Sequence, residues 1–222
     1  MAKAKTKQSW LTYTFLLVEV ALYVLILTGK WIVSAQFAAI ALCLVFVVVH
    51  LRRANYFILG ALICTVCADW FLVVQGGADK VTAMVFFLAA QTLYAILLHR
   101  RVRSRSLLVT RLLAVVIVEA VTVLVLMDKM NELAGVSMAY YVMLVMNIVC
   151  AFKSYKKEPL MAWALVLFFL CDTFIGLQTA SGVFLTLPAW LYNVVFCGFN
   201  VAWACYLPSQ VMLALCGKDN RR

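Results

Sequence analysis

Two aspartates stand inside apolar chain. Asp69 lies in CADWFLVVQ, residues 67–75, which closes a run otherwise apolar from Tyr56 to Val74. Asp172 lies in CDTFIGLQ, residues 171–178, which closes the apolar run from Leu160. Both stretches read D-x-F-x-x-x-Q, so Asp69, Phe71 and Gln75 share their offsets with Asp172, Phe174 and Gln178. Two carboxyl groups suit acid–base hydrolysis: one gives a proton while the opposing carboxylate positions water. If the runs are membrane spans, each ionised carboxylate costs roughly 2.5–3.5 kcal/mol at a helix centre, so it must face a polar cavity, be protonated or bond to another helix. The plainer reading is a protonated acid that ties helices together by hydrogen bonds. An intramembrane acid is a functional candidate by default, and Asp69 and Asp172 are taken as the catalytic pair.

The elements that must position them follow from composition. Of 222 residues, 67% are hydrophobic and only 13% charged, with the charges clustered between long apolar runs. This is the pattern of an all-α polytopic membrane protein. Eight spans are expected, at about 9–28, 31–51, 56–74, 81–99, 107–127, 134–152, 160–178 and 188–208, each long enough to cross a core of about 30 Å. The first run, Trp10 to Thr28, is long for a signal sequence and lacks a small-residue cleavage site, so it is read as a retained helix. No loop is long enough for a soluble domain, so residues 1–222 form a single transmembrane domain.

The net charge of +10 is explained by the loops rather than by a nucleic-acid partner. Sixteen of the 19 Lys and Arg residues, Arg111 among them, fall on one side of the eight spans; Lys30, Lys80 and Lys129 fall on the other. That asymmetry predicts that both termini are cytoplasmic. No Lys or Arg is expected deep enough in a span to neutralise a carboxylate. Trp10, Trp31, Trp70 and Trp190 lie near span ends, where an indole favours the interface. The eight cysteines read as small core residues, and the Cys64/Cys67 spacing without a second pair carries no metal site. An integral, multi-pass protein is expected, in a prokaryotic plasma membrane rather than a eukaryotic internal one.

The two aspartate stretches fall in spans three and seven, and other echoes share that offset of four spans. LVEVALYVLILTGK in span one carries Glu19, and IVEAVTVLVLMDK in span five carries Glu119. Gln91-x-x-Tyr94-Ala95 in span four answers Asn200-x-x-Trp203-Ala204 in span eight. Two related four-helix halves are expected, at about 9–99 and 107–208, with a site at their interface. Both aspartates would then lie about five residues, roughly 7 Å, below the non-cytoplasmic boundary.

Glu19, Asp69, Glu119 and Asp172 are the only acids within the spans, and Gln91, Asn147, Asn193 and Asn200 add amides. Tyr94 shares a helix face with Gln91. Gln91, Tyr94, Asn193, Asn200, Glu19 and Glu119 are taken as substrate-binding candidates, each weighed against service as packing glue. His50 and His99 lie at the cytoplasmic span ends, away from the aspartates, so a histidine zinc site at that depth is not available. No serine elbow, phosphate-binding loop or dinucleotide fingerprint is present, and no metal or cofactor is expected.

At these residues the chain resembles the lysoplasmalogenase-like, YhhN-type membrane proteins. The resemblance rests on Ala68-Asp69, on Phe86-Phe87-Leu88-Ala89-Ala90-Gln91-Thr92-Leu93-Tyr94, on Phe168-Phe169-Leu170-Cys171-Asp172 and on Phe196 to Asn200, and it covers most of the chain. It implies hydrolysis of the vinyl-ether bond of a lysoplasmalogen to a fatty aldehyde and a glycerophospho-base. Asp69 and Asp172 would be the catalytic pair, lined by Gln91, Tyr94 and Asn200, with a lysophospholipid or other lipid as partner. The chain departs from the pattern in three places: Ala68 for glycine, Gln91 for histidine and Cys171 for serine. Glutamine does not exchange protons near neutral pH. The alternatives therefore are a small proton- or cation-coupled transporter, or a lipid-binding protein that does not cleave, using the same cavity.

Overall fold

The computed structural model describes residues 2–29, 32–126, 131–156, 158–181, 186–196 and 200–218. Lys30, Trp31, Lys129, Lys157, Cys197, Arg221 and Arg222, which enter the span ends, charge count or cysteine count above, lie outside them. Every regular element among the described residues is helical: α1 (Ala2–Leu27), α2 (Ile32–Val49), α3 (Tyr56–Asp69), α4 (Lys80–Val102), α5 (Arg105–Leu126), α6 (Glu132–Lys153), α7 (Pro159–Ala180), α8 (Ala189–Val195) and α9 (Val201–Gly217). The helices start where side chains take up the first free backbone N–H groups. Asn55 accepts from Phe57 N at 3.1 Å, Asp79 from Thr82 N at 2.9 Å and Asn131 from Ala134 N at 2.8 Å. Pro159, which lacks an N–H, opens α7.

Helices α1, α2 and α4 to α7, and α3 together with the helical turn Trp70–Val74 that continues it, are each long and apolar enough to cross a membrane. Large apolar side chains such as Leu17, Leu112, Val116 and Leu124 face outward, which lipid tolerates and water does not. Meanwhile Ile40, Ile58, Leu62, Leu144, Leu165 and Leu213 are fully buried between helices. Five helices close a ring: α3 packs on α4, α4 on α6, α6 on α7, α7 on α9, and α9 back on α3. Outside it, α2 lies against α3 and α9, α1 against α2 and α9, and α5 against α6.

The helix ends rich in Lys and Arg meet at one end of this bundle. Lys218 Nζ donates to Thr12 Oγ1 at 2.8 Å, Asn55 N donates to Gly217 O at 2.9 Å, the Arg100 guanidinium sits 4.5 Å above the Phe57 ring, and Arg101 pairs with Glu158.

The last run departs from expectation. Instead of one helix over 188–208, the chain forms the short α8 and then α9, which continues to Gly217. Asn200 restarts the helix by accepting from Trp203 N at 3.3 Å. Pro208, expected to end the span, lies inside α9. A proline there leaves the carbonyl four residues earlier without its helical donor, and the Tyr23 hydroxyl of α1 supplies one to Ala204 O at 3.0 Å. The seven described cysteines are all free.

A second departure concerns Arg111, placed by sequence among the loop cations. It sits in the second turn of α5, faces inward and is buried. Its Nη2 donates to Asn147 Oδ1 at 3.0 Å and to Cys150 Sγ at 3.4 Å, both on α6. Arg111 lies on the face of α5 that packs on α6, and that amide and sulfur receive it.

Candidate active site

Asp69 ends α3, and the next turn, Trp70–Val74, is π-helical. Gln75 N donates to Trp70 O at 3.0 Å, an i→i+5 bond. Such a turn takes an extra residue and re-aims the side chains beside it. Gly76 and Gly77, with φ of +62° and +75°, then reverse the chain, a left-handed geometry that suits residues without Cβ. Asp69 is buried, and the Tyr206 hydroxyl of α9 donates to its Oδ2 at 2.7 Å.

Asp172, on α7, is partly exposed. The Tyr140 hydroxyl of α6 donates to its Oδ2. Beside this bond Tyr141 and Thr173 share a hydrogen bond of 2.8 Å, so two adjacent pairs fix α6 against α7 at this level.

An aromatic row joins the two carboxyl–phenol pairs. Phe168, one turn before Asp172, meets Tyr206 edge-on with centroids 5.5 Å apart and Phe87 at 6.0 Å; Phe87 lies 5.9 Å from Tyr140. The aromatic row links the two pairs across α3, α4, α6, α7 and α9. Each carboxyl has a phenol aimed at it.

The structure therefore links Asp69 and Asp172 through their tyrosines and the two phenylalanines between them. The other sequence candidates fall elsewhere. Gln91 lies one turn beyond Phe87 on α4, where Asn147 Nδ2 donates to its Oε1 at 2.9 Å and to its backbone O at 2.8 Å. Tyr94, about one turn further, is fully buried, and neither its hydroxyl nor Gln91 Nε2 finds a partner. Both residues share Phe87's helix but sit closer to the basic end than the aspartates do. Glu19 is buried on α1, where Cys43 Sγ donates to its Oε1 at 3.5 Å. Glu119 lies on the peripheral α5. Asn193 is exposed on α8, and Asn200 serves as the cap of α9. Gln75 is exposed on the turn after Asp69, while Gln178 Nε2 donates to Val195 O at 2.9 Å and ties α7 to α8.

Sequence reading missed Tyr140 and Tyr206, because tyrosine in an apolar run passes for an ordinary aromatic. A usable signal existed: a phenolic hydroxyl deep in a membrane needs a partner, and few residues at that depth can accept. Among the described residues no three His, Cys, Asp or Glu side chains gather as a metal site.

A bundle of long apolar helices with carboxyl–phenol pairs between them is a multi-pass integral membrane protein with polar groups in its interior. Residues 29–216 match the YhhN family, and the chain belongs to it. Neither a curated protein nor a solved structure matches the chain.

Proposed function

We propose that this YhhN-family protein is a membrane lipid hydrolase of the lysoplasmalogenase type, and that Asp69 and Asp172 are its catalytic pair. The observation that carries the reading is their arrangement: two carboxyls 103 residues apart in sequence are each held by a tyrosine from a further helix, and one aromatic row links the two pairs. Vinyl-ether hydrolysis needs little more. A carboxylic acid protonates the ether's β-carbon, and the resulting oxocarbenium ion is stabilised by the opposing carboxylate. That carboxylate takes a proton from water as the water oxygen attacks the cation. The hemiacetal so formed collapses to a fatty aldehyde and the glycerophospho-base alcohol, with the ether oxygen leaving on the alcohol. Tyr140 and Tyr206 orient the carboxyl groups. The partly exposed Asp172 gives substrate its approach, and the apolar, aromatic surroundings suit an acyl chain.

Packing order supports two related halves: α1, α2, α3 and α4 pack in sequence, as do α5, α6, α7 and α9, and α4 crosses onto α6 as α9 crosses onto α2. In this reading the basic end of the bundle, with both termini, is cytoplasmic.

The test is aldehyde release from a lysoplasmalogen by the purified protein in detergent, with Asp69→Asn and Asp172→Asn alongside. Release by the wild type and by neither folded variant is expected. A folded wild type that releases none would retire the hydrolase reading in favour of a lipid-binding or transport role.

A further inference from the structure

The buried Arg111 has more donors than its neighbours use. Its Nη2 serves Asn147 and Cys150, but its Nε–H finds no partner. Among the described residues no carboxylate lies within ion-pair distance of it, since Arg101–Glu158 is the one pair recorded there. A guanidinium 6% exposed is costly to keep without a counter-charge. Helix glue alone explains the Asn147 bond and leaves the spare donor and the uncompensated charge unexplained.

Arg111 lines a small pocket with His99 and Val102 from α4, Ser104 from the α4–α5 turn, Leu107 and Leu108 from α5, and Cys150 from α6. The corner that shapes it is strained. Arg103 takes a left-handed conformation, φ 49° and ψ 36°, and its N–H donates to His99 O at 2.8 Å. A residue with a Cβ rarely adopts this geometry, and such strain clusters at ligand sites. Arg103 and Arg105 flank the turn and make its surroundings positive. Along α6, Cys150 lies ten residues from Tyr140, about 15 Å, so the pocket is remote from the aspartate cluster.

We infer that the Arg111 pocket binds a phosphate group, with one oxygen entering the pocket, which has room for a single such atom, against the guanidinium, and the rest of the group at its mouth beside Ser104 and His99. The pocket lies at the basic end of the bundle, beside a helix whose outer face is apolar, and cations at such an end attract lipid phosphates. It is independent of the hydrolase reading, because 15 Å separates it from the carboxyls and its test does not use catalysis.

The experiment measures thermal midpoints in dodecyl maltoside, a detergent without phosphate, against increasing phosphatidylglycerol, inorganic phosphate or diacylglycerol. The variants are Arg111→Gln, whose amide keeps a donor for Asn147, and Leu108→Trp, which crowds the pocket mouth from an exposed position. A saturable upward shift of the wild type with phosphatidylglycerol, weakened at least about tenfold in the variants, is the expected result and identifies a lipid headgroup. The same pattern with inorganic phosphate supports the site and identifies a free anion as sufficient. No shift with either phosphate probe, an equal shift with diacylglycerol, or shifts unchanged in Leu108→Trp would overturn the proposal. If Arg111→Gln does not fold, Leu108→Trp decides alone.

Discussion

Tyr206 and Asp69, 137 residues apart, are joined by a 2.7 Å hydrogen bond across the interface of α9 and α3. Tyr140 and Asp172 repeat the relationship between α6 and α7. A phenol–carboxylate bond fixes where the carboxyl oxygen sits. Tyr206→Phe and Tyr140→Phe keep the ring and remove only the donor. Each should lower aldehyde release by roughly tenfold or more, the equivalent of about 1.5 kcal/mol or above. The thermal midpoint should fall far less than the activity does. Equal activity in both variants would show that the tyrosines only fill space.

Asn147 spans two helices besides its own: it accepts from Arg111 on α5 and donates to Gln91 on α4. Asn147→Ala leaves Arg111 and Gln91 each short of that partner in a buried layer. A loss of about 1–3 kcal/mol is expected. Thermal unfolding in detergent checks it, and a midpoint unchanged from wild type would mean the two side chains find other partners.

Tyr23 and Pro208 make a coupled pair. Tyr23→Phe strands the Ala204 carbonyl that the proline leaves free, and should destabilise the protein by about 1–2 kcal/mol. Pro208→Ala restores the helical N–H, so Tyr23→Phe should cost much less in that background. A double-mutant cycle reads the difference, and strict additivity would refute the coupling.

Gly217 is fixed by close approach. A Cβ there would lie 2.8 Å from Ile58 Cγ2 and 3.1 Å from Val47 Cγ2. Gly217→Ala should push α9 from α2 and α3 and cost about 1–3 kcal/mol. Gly176, where an added Cβ meets nothing within 4 Å, is the control: Gly176→Ala should be neutral or mildly stabilising by the same thermal measurement.

Asp79, exposed before α4, has a lowered carboxyl pKa, chiefly through side-chain hydrogen bonding with Thr82 and then through the Thr82 N–H. A group depressed on folding contributes stability above its unfolded value and loses it as pH falls through the folded one. Asp79→Asn keeps the cap without the charge. The difference in midpoint from wild type should hold at neutral pH and close below about pH 4, near the ordinary carboxylate value. A gap that persists in acid would assign it to something other than this charge.

The sequence by itself determined the helical membrane architecture and singled out the two aspartates. Long apolar runs and segregated cations are statements about solvent, and solvent acts on each segment separately. An acid amid such a run is conspicuous because its cost is local. Only the tertiary structure decided the rest. Tyr206 reaches Asp69 from the far end of the chain and Tyr140 reaches Asp172 from the preceding helix, and Arg111 turns inward because Asn147 and Cys150 receive it. Asn200 becomes a cap and Pro208 stays helical because Tyr23, from the first helix, satisfies the carbonyl the proline frees. Partners of buried polar groups are chosen by packing between helices, and no single span's sequence carries that choice.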